Sequence, residues 1–304
     1  MVKFPPYLKK GDIIGITCPA GYMPAQNVQT CIATLQQWGF EVWVGKTVGS
    51  TSNNYFSGTD ETRLNEFQAM LDDNRIKAIL FGRGGYGTGR IIDQLNFKRF
   101  KKNPKWIIGF SDITVLHCHL YAQLHTASLH APMASAFNDG GANEPYVQSL
   151  RACLTGKKPI YRAAAHPLNK SGKVTAPIVG GNLSLLVNQL GTPSEPNTKN
   201  TILFLEDIGE QLYSIDRMLH QLKRAGKLDG LKGMILGGFT DMKDTDRPFG
   251  ETIDALLHNL FKEYDFPICY HFPISHSKEN YSIKIGATYT LNINKKLEVR
   301  LHEN

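Results

Sequence analysis

Up to Phe110 the chain repeats one pattern, a short uninterrupted apolar run followed by a stretch with apolar residues at helical spacing. Ile13-Ile14-Gly15-Ile16-Thr17 reads as a strand and Val28 to Trp38 as a helix ended by Gly39. Glu41-Val42-Trp43-Val44 is the next strand, Glu61 to Leu71 the next helix, and Ile76 to Phe81 a strand that runs into glycines. Trp106 to Phe110 closes the series. Strands alternating with helices predict a parallel sheet covered on both faces, whose working edge lies at the carboxyl ends of the strands.

With 304 residues the chain exceeds one ordinary core, and two domains are expected. Between about Leu154 and Val174 it becomes basic and turn-rich, with Gly156-Lys157-Lys158-Pro159, His166-Pro167 and Asn169-Lys170-Ser171-Gly172. The expected division is therefore residues 1–155, a linker over 156–173, and a second domain over 174–304. That second half mixes strand-like Thr201 to Glu206 and Gly233 to Gly238 with helix-like Ile215 to Leu222 and Thr252 to Phe261. It ends in β-rich stretches near Ile283 and Leu297. An α/β domain with a flanking β-sheet fits it.

Met1-Val2-Lys3-Phe4-Pro5-Pro6 lacks the apolar segment of a secretory signal and no run of about eighteen apolar residues occurs, so a cytoplasmic location off the membrane is expected. The five cysteines are scattered without a Cys-x-x-Cys pair, which argues against a disulfide framework and a zinc site. Formal charge is +7 with a pI near 9.0, yet the basic residues are dispersed. The densest run, Lys98-Arg99-Phe100-Lys101-Lys102 with Lys105, reads as a solvated turn, and no nucleic-acid-binding motif supports such a partner. A positive field also suits a small substrate carrying several carboxylates.

Gly109-Phe110-Ser111-Asp112 lies between the apolar runs Trp106-Ile107-Ile108 and Ile113-Thr114-Val115-Leu116, so Ser111 stands where a strand turns into a helix. Such a turn lifts a hydroxyl off the sheet edge beside the N–H groups of a helix start, the layout of an activated serine nucleophile. The simpler reading, with Ser111 or Asp112 as a helix N-cap, stays open on local grounds. Gly82-Arg83-Gly84-Gly85-Tyr86-Gly87 matches the dinucleotide pattern Gly-x-Gly-x-x-Gly, but no ribose-binding acid follows convincingly. The same turn can aim backbone N–H groups at an oxyanion. Glu206, ending an apolar strand, and His276, in a polar loop, are candidates for a carboxylate that orients a base and for the base itself; a solvated strand end and an inert loop histidine are the competing readings. His117 and His119, two apart on a helix, face different ways and cannot share a metal, and His125 and His130 are isolated. No metal and no organic cofactor are expected.

Taken in order, several motifs resemble the LD-carboxypeptidases, the muramoyl-tetrapeptide carboxypeptidase family that includes the microcin-immunity peptidases as a branch. They are Arg83-Gly84-Gly85-Tyr86-Gly87, Gly109 to Thr114, Gly180-Gly181-Asn182-Leu183-Ser184, Gly191-Thr192-Pro193, Leu203 to Asp207 with Tyr213 and Ile215-Asp216-Arg217, and the His276 loop followed by Gly286. The resemblance spans nearly the whole chain. It implies a Rossmann-like N-terminal domain, a C-terminal domain of swivelling character, and a dimer without metal or cofactor. It further implies a Ser111/His276/Glu206 triad across the domain junction, with an oxyanion hole on the N–H groups of Asp112 and Gly85. The implied substrate is a cytoplasmic muropeptide, cut at the L–D bond before its terminal D-Ala during cell-wall recycling. One departure is Ser275, where members commonly have glycine, which puts the shape of the His276 loop in question.

Recognition of the substrate's free carboxylate calls for Arg, Lys or converging N–H groups, and Arg83 is a candidate whose other role would be tying its turn to the fold. Two further readings remain: a microcin-immunity-like hydrolase of peptidyl or aminoacyl nucleotides, which needs an aromatic residue to stack a base, and a non-catalytic nucleotide-binding protein that uses the glycine turn.

Overall fold

The computed structural model describes residues 2–304. In chain order the elements are β1 (Ile13–Thr17), α1 (Gln29–Gln37), β2 (Glu41–Val44), α2 (Asp60–Asp72), β3 (Ile76–Phe81), α3 (Lys98–Lys102), β4 (Trp106–Gly109), α4 (Thr114–Leu124), β5 (Ser128–His130) and α5 (Pro145–Leu154). Then follow β6 (Ile160–Ala164), β7 (Gly172–Asn182), α6 (Leu183–Asn188), β8 (Ile202–Ile208), α7 (Leu212–Arg224), β9 (Gly233–Thr240), α8 (Ile253–Phe261), β10 (Ile268–Cys269), β11 (Ile283–Ile285), β12 (Thr288–Ile293) and β13 (Glu298–Glu303). They form two compact units, Met1–Lys157 with Tyr281–Ile285, and Lys158–Asn280 with Gly286–Asn304.

The first unit holds a six-stranded sheet in the order β11-β5-β4-β3-β1-β2, parallel except for β11. The inner strands β1, β3 and β4 are mainly apolar and buried on both sides because both faces of the sheet are covered there, whereas edge strand β2 leaves Glu41 and Trp43 exposed. Ile14 and Ile16 pack into the core shared with Cys31 and Leu35 of α1. On the other face, a side chain at Gly15 would meet Met70 of α2 at 3.0 Å. Since β2 and β3 flank β1 on opposite sides, the chain reverses direction there, and the carboxyl ends of β1 and β3 border a switch-point crevice. Gly21 N–H donates to Gly84 O across it at 3.2 Å.

The second unit carries a seven-stranded mixed sheet, β10-β9-β8-β7-β12-β13-β6, parallel from β10 to β7 and antiparallel beyond. Both units are thus α/β, one mostly parallel and one mixed. The stretch expected as linker, 156–173, contains β6, which pairs with β13, and residues from Lys158 onward pack with the second unit. Its turn-forming residues flag the bends between strands. Tyr281–Ile285 returns to the first unit because β11 pairs antiparallel with β5, a long-range pairing that local pattern does not encode.

The basic run is not a solvated turn. Lys98–Lys102 forms a short helix with Phe100 buried, and Lys105 is buried too. Its ammonium donates to Met70 O at 2.8 Å and Asp73 O at 2.7 Å, capping the end of α2, while burial pushes its pKa down to about 8. All five cysteines are buried. Among the described residues no helix is long and apolar enough to cross a membrane.

Candidate active site

Ser111 follows β4 by two residues and has φ +60°, a left-handed conformation that L-residues with a Cβ avoid. Holding a serine there costs on the order of 1–2 kcal/mol, and such strain persists where the surroundings over-determine it. Gly109 is one part of that frame: a side chain on it would sit 2.8 Å from Ile113 and 3.2 Å from Phe81. His117 of α4 is another. It is fully buried, with Nε2 bonded to Gly109 O at 2.8 Å and Nδ1 to the Ser128 hydroxyl at 2.8 Å. A carbonyl only accepts, so Nε2 carries the proton. Burial pushes the His117 pKa down to about 4 and keeps the ring neutral. His117 is thereby a core residue tied to the turn that carries Ser111.

Asp112 begins the helical turn after Ser111, where N–H groups lack helical acceptors. Its carboxylate is buried and accepts the Thr88 N–H at 2.9 Å, joining this turn to the glycine turn after β3. Burial raises the Asp112 pKa against the pull of Thr88. Within the glycine turn, Gly84 is the residue packed on Ser111. A Cβ there would lie 3.1 Å from Ser111 Cβ, 3.2 Å from its hydroxyl and 3.3 Å from Asp112 N. Gly85, at φ +99°, supplies the next peptide N–H, and its own Cβ position faces Tyr55 and Gly21. Arg83 is exposed and donates to Tyr22 O at 3.0 Å, tying the turn to the loop after β1. Buried Arg63 supports the turn from below, donating to Gly87 O at 3.1 Å and to Pro19 O.

In the second unit Glu206 and His276, 70 residues apart, meet at 2.6 Å between Oε2 and Nδ1. A carboxylate accepts, so Nδ1 donates and Nε2 is the nitrogen able to take a proton. The Glu206 side chain is fully buried and its Oε1 has no partner, which leaves His276 as the carboxylate's hydrogen-bond donor. Burial opposes a charged imidazole, but the bond from Glu206, its charge and that of Asp207 outweigh it, so the His276 pKa is raised.

Two backbone features bring the pair together. The β8–β9 register slips between Leu205 and Asp207, so Glu206 sits on a bulge, a device that re-aims a side chain at a sheet edge. Opposite it lie Gly237 and Gly238, which let the His276 loop lie flat on β9. A Cβ at Gly237 would come within 2.1 Å of Ile274 O, and one at Gly238 within 2.4 Å of Ser275 Cβ. Gly238 N–H donates to Ile274 O at 3.0 Å. In the sequence Gly237 and Gly238 look only like a strand end, and two consecutive glycines closing an apolar strand are the signal that marks them.

Ser275 keeps an ordinary backbone and is buried. Its hydroxyl donates to Glu279 O at 3.0 Å and accepts the Ser277 N–H at 3.1 Å, closing the loop on itself. Asp207 points away from the pair to hold the start of α6, accepting from Asn182 Nδ2 at 2.8 Å and Ser184 N at 2.9 Å; burial pushes its pKa up to about 6. That explains the motif Gly180 to Ser184: Asn182 caps α6, and a Cβ on Gly180 would strike Phe204 O at 1.9 Å. The structure thus gathers Ser111, Asp112 and the glycine turn in one unit and Glu206 with His276 in the other.

The profile of the LD-carboxypeptidase N-terminal domain matches residues 14–131, and that of the LD-carboxypeptidase C-terminal domain matches residues 175–291. The probable murein peptide carboxypeptidase of Bacillus subtilis strain 168 is 33% identical over 97% of this chain and 93% of its own length. The murein tetrapeptide carboxypeptidase of Pseudomonas aeruginosa is 28% identical over 93% of this chain and 94% of its own. Among solved structures, the muramoyltetrapeptide carboxypeptidase from Oxalobacter formigenes matches with a TM-score of 0.86 at 28% identity, covering 96% of this chain and 98% of that one. With both of its domains matched and a relative one-third identical along almost its whole length, the chain belongs to the LD-carboxypeptidase family.

Proposed function

We propose that the chain is a serine carboxypeptidase that hydrolyses the L–D peptide bond before the terminal D-Ala of a murein tetrapeptide. The observation that carries this reading is the buried bond between Glu206 and His276, found in a chain of this family. A base of raised proton affinity, oriented by a carboxylate, is what a serine nucleophile needs. The left-handed Ser111 at a strand-to-helix turn supports its role as that nucleophile.

In the proposed reaction His276 Nε2 accepts the Ser111 proton as Oγ attacks the scissile carbonyl, and the charge on the tetrahedral oxygen is held by the N–H groups of Asp112 and Gly85. Collapse breaks the C–N bond, and D-Ala leaves with the proton from Nε2. Water then gives a proton to the same nitrogen as its oxygen attacks the acyl carbonyl; collapse breaks the carbonyl C–Oγ bond, the tripeptide leaves with a free carboxyl group, and Nε2 returns the proton to Ser111 Oγ. The substrate carries several carboxylates, and the net charge of +7 favours its approach.

The test is D-Ala release from free L-Ala-γ-D-Glu-diaminopimelate-D-Ala, followed by mass spectrometry with a chelator present. Release by the native chain and none by Ser111→Ala supports the assignment. Release by neither, with the tetrapeptide confirmed intact, rejects the substrate.

A further inference from the structure

We propose that the second unit carries a binding site for a divalent transition-metal ion of the zinc class, formed by His166, Asp254 and His271. The three come from separate stretches: the β6–β7 loop, the first turn of α8, and the segment leaving β10. His271 Nε2 lies 3.0 Å from both Asp254 carboxylate oxygens, and His166 Nε2 lies 4.0 Å from Asp254 Oδ2. All three ligand atoms fall within 4.8 Å of one another. Zinc bonds of about 2.1 Å place neighbouring tetrahedral ligands roughly 3.3 Å apart, so one ring must move by no more than about 1.5 Å.

The backbone beneath these side chains is already ordered. Lys170 and Ile268 exchange both backbone hydrogen bonds, at 2.9 and 3.2 Å, linking the β6–β7 loop to β10. The Asn169 side chain accepts the Tyr270 N–H at 2.8 Å, and the His166 ring stacks on Tyr270 with centroids 5.8 Å apart. His271 itself is held at φ +55°, a costly conformation for a residue with a Cβ. Strain at a histidine whose ring faces a carboxylate and a second imidazole is the mark of an arranged group rather than a loose surface one.

Two imidazoles and one carboxylate select Zn²⁺, Ni²⁺ or Cu²⁺ over Mg²⁺ and Ca²⁺, which prefer all-oxygen shells. An ion at Nε2 of both rings requires their Nδ1–H tautomers, so the proton that His271 Nε2 shares with Asp254 moves to Nδ1 of that ring and the His166 proton moves likewise, ending the long 3.4 Å contact from the Leu168 N–H. Three protein ligands leave positions for water. No sequence motif announces the site, which is why the sequence alone predicts none.

The site stands apart from the peptidase reading and is tested by binding. Tag-free, chelator-stripped protein is titrated with ZnCl₂ by calorimetry. One equivalent should bind with micromolar or tighter affinity, MgCl₂ should give no heat of binding, and Co²⁺ should develop visible ligand-field bands. Glycine adopts a positive φ without cost, so His271→Gly stays folded. That variant and His166→Ala should each weaken Zn²⁺ binding at least about tenfold. Absence of saturable binding by the native chain, or unchanged affinity in the His166→Ala/His271→Gly double variant, overturns the proposal.

Discussion

The two units hold their candidate catalytic groups by different physics. In the first, backbone geometry does it: a strained φ at Ser111, glycines on either side and a buried neutral His117 under the turn. In the second, a hydrogen-bonded carboxylate–imidazole pair does it, with Glu206 stripped of water and completed by His276. A site set by backbone tolerates changes of charge and fails on added volume. A site set by a buried pair fails when either partner is removed, and its behaviour depends on pH.

Ser111 gives the largest effect. If Ser111 is the nucleophile, Ser111→Ala should lower D-Ala release by about 10⁶-fold, more than the loss of the carboxylate that orients the base. Ser111→Gly should be equally inactive yet about 1 kcal/mol more stable than the alanine variant, because glycine accepts φ +60°. Urea unfolding followed by tryptophan fluorescence reports this directly, because Trp38, Trp43 and Trp106 all lie in the first unit. Equal stability of the two variants would remove strain from the account.

Next in size is Glu206→Gln, which keeps shape and removes charge. If the proposed role of Glu206 holds, amide replacement of a carboxylate that orients a catalytic histidine costs roughly 10⁴ in rate. Because Glu206 raises the proton affinity of His276, the acid limb of kcat/KM in the native chain should lie above the ordinary imidazole value of about 6.5. In the variant burial acts without that carboxylate, and the limb should move to lower pH. A limb that stays in place would mean that His276 is not the group titrating.

Alanine at two glycines separates the mechanisms more finely. Gly84→Ala adds a methyl 3.2 Å from the Ser111 hydroxyl and 3.3 Å from Asp112 N, so activity should fall about a hundredfold while stability changes by less than about 1 kcal/mol. Gly237→Ala places its methyl 2.1 Å from Ile274 O and must push the His276 loop away, costing about 3 kcal/mol and activity together. Turnover and unfolding measured on both variants decide it. If Gly84→Ala loses stability as heavily as Gly237→Ala, its methyl acts through the fold and not on the Ser111 hydroxyl alone.

The same contrast governs what the sequence discloses. Strands β1 and β3 fall on the residues predicted for them, because a strand buried on both faces leaves a nearly uninterrupted apolar run, and β2 does so too although it lies at the sheet edge with Glu41 and Trp43 exposed. Ser111 is legible as a candidate because strand, glycine, serine and helix are contiguous. The meeting of Glu206 with His276 depends on a bulge, two glycines and a loop closed by Ser275, spread over three elements, and it reaches the reader only through family resemblance. The hidden elements are the same in kind. β11 pairs across the chain, and Lys105 is buried by the carbonyls it caps, neither of which follows from local composition.

The smallest effect is also the one that sets the two units against each other, through pH and stability. His117 is neutral when folded with its pKa near 4, below the unfolded value of about 6.5, so its contribution is complete above that value and is lost as pH falls toward 4. The loss amounts to about 1.4 kcal/mol by pH 5.5. His276 has the opposite sign: its folded pKa is raised, so its contribution is complete below the unfolded value and is lost as pH rises through the folded one. His117→Gln should therefore flatten the acid-side fall in first-unit stability seen by tryptophan fluorescence between pH 7 and 5. His276→Gln should leave that signal unchanged and flatten the alkaline-side fall in hydrogen-exchange protection of β8 and β9. If both variants alter the tryptophan signal alike, the two histidines do not report separate physics, and the contrast between a backbone-set and a charge-set site collapses.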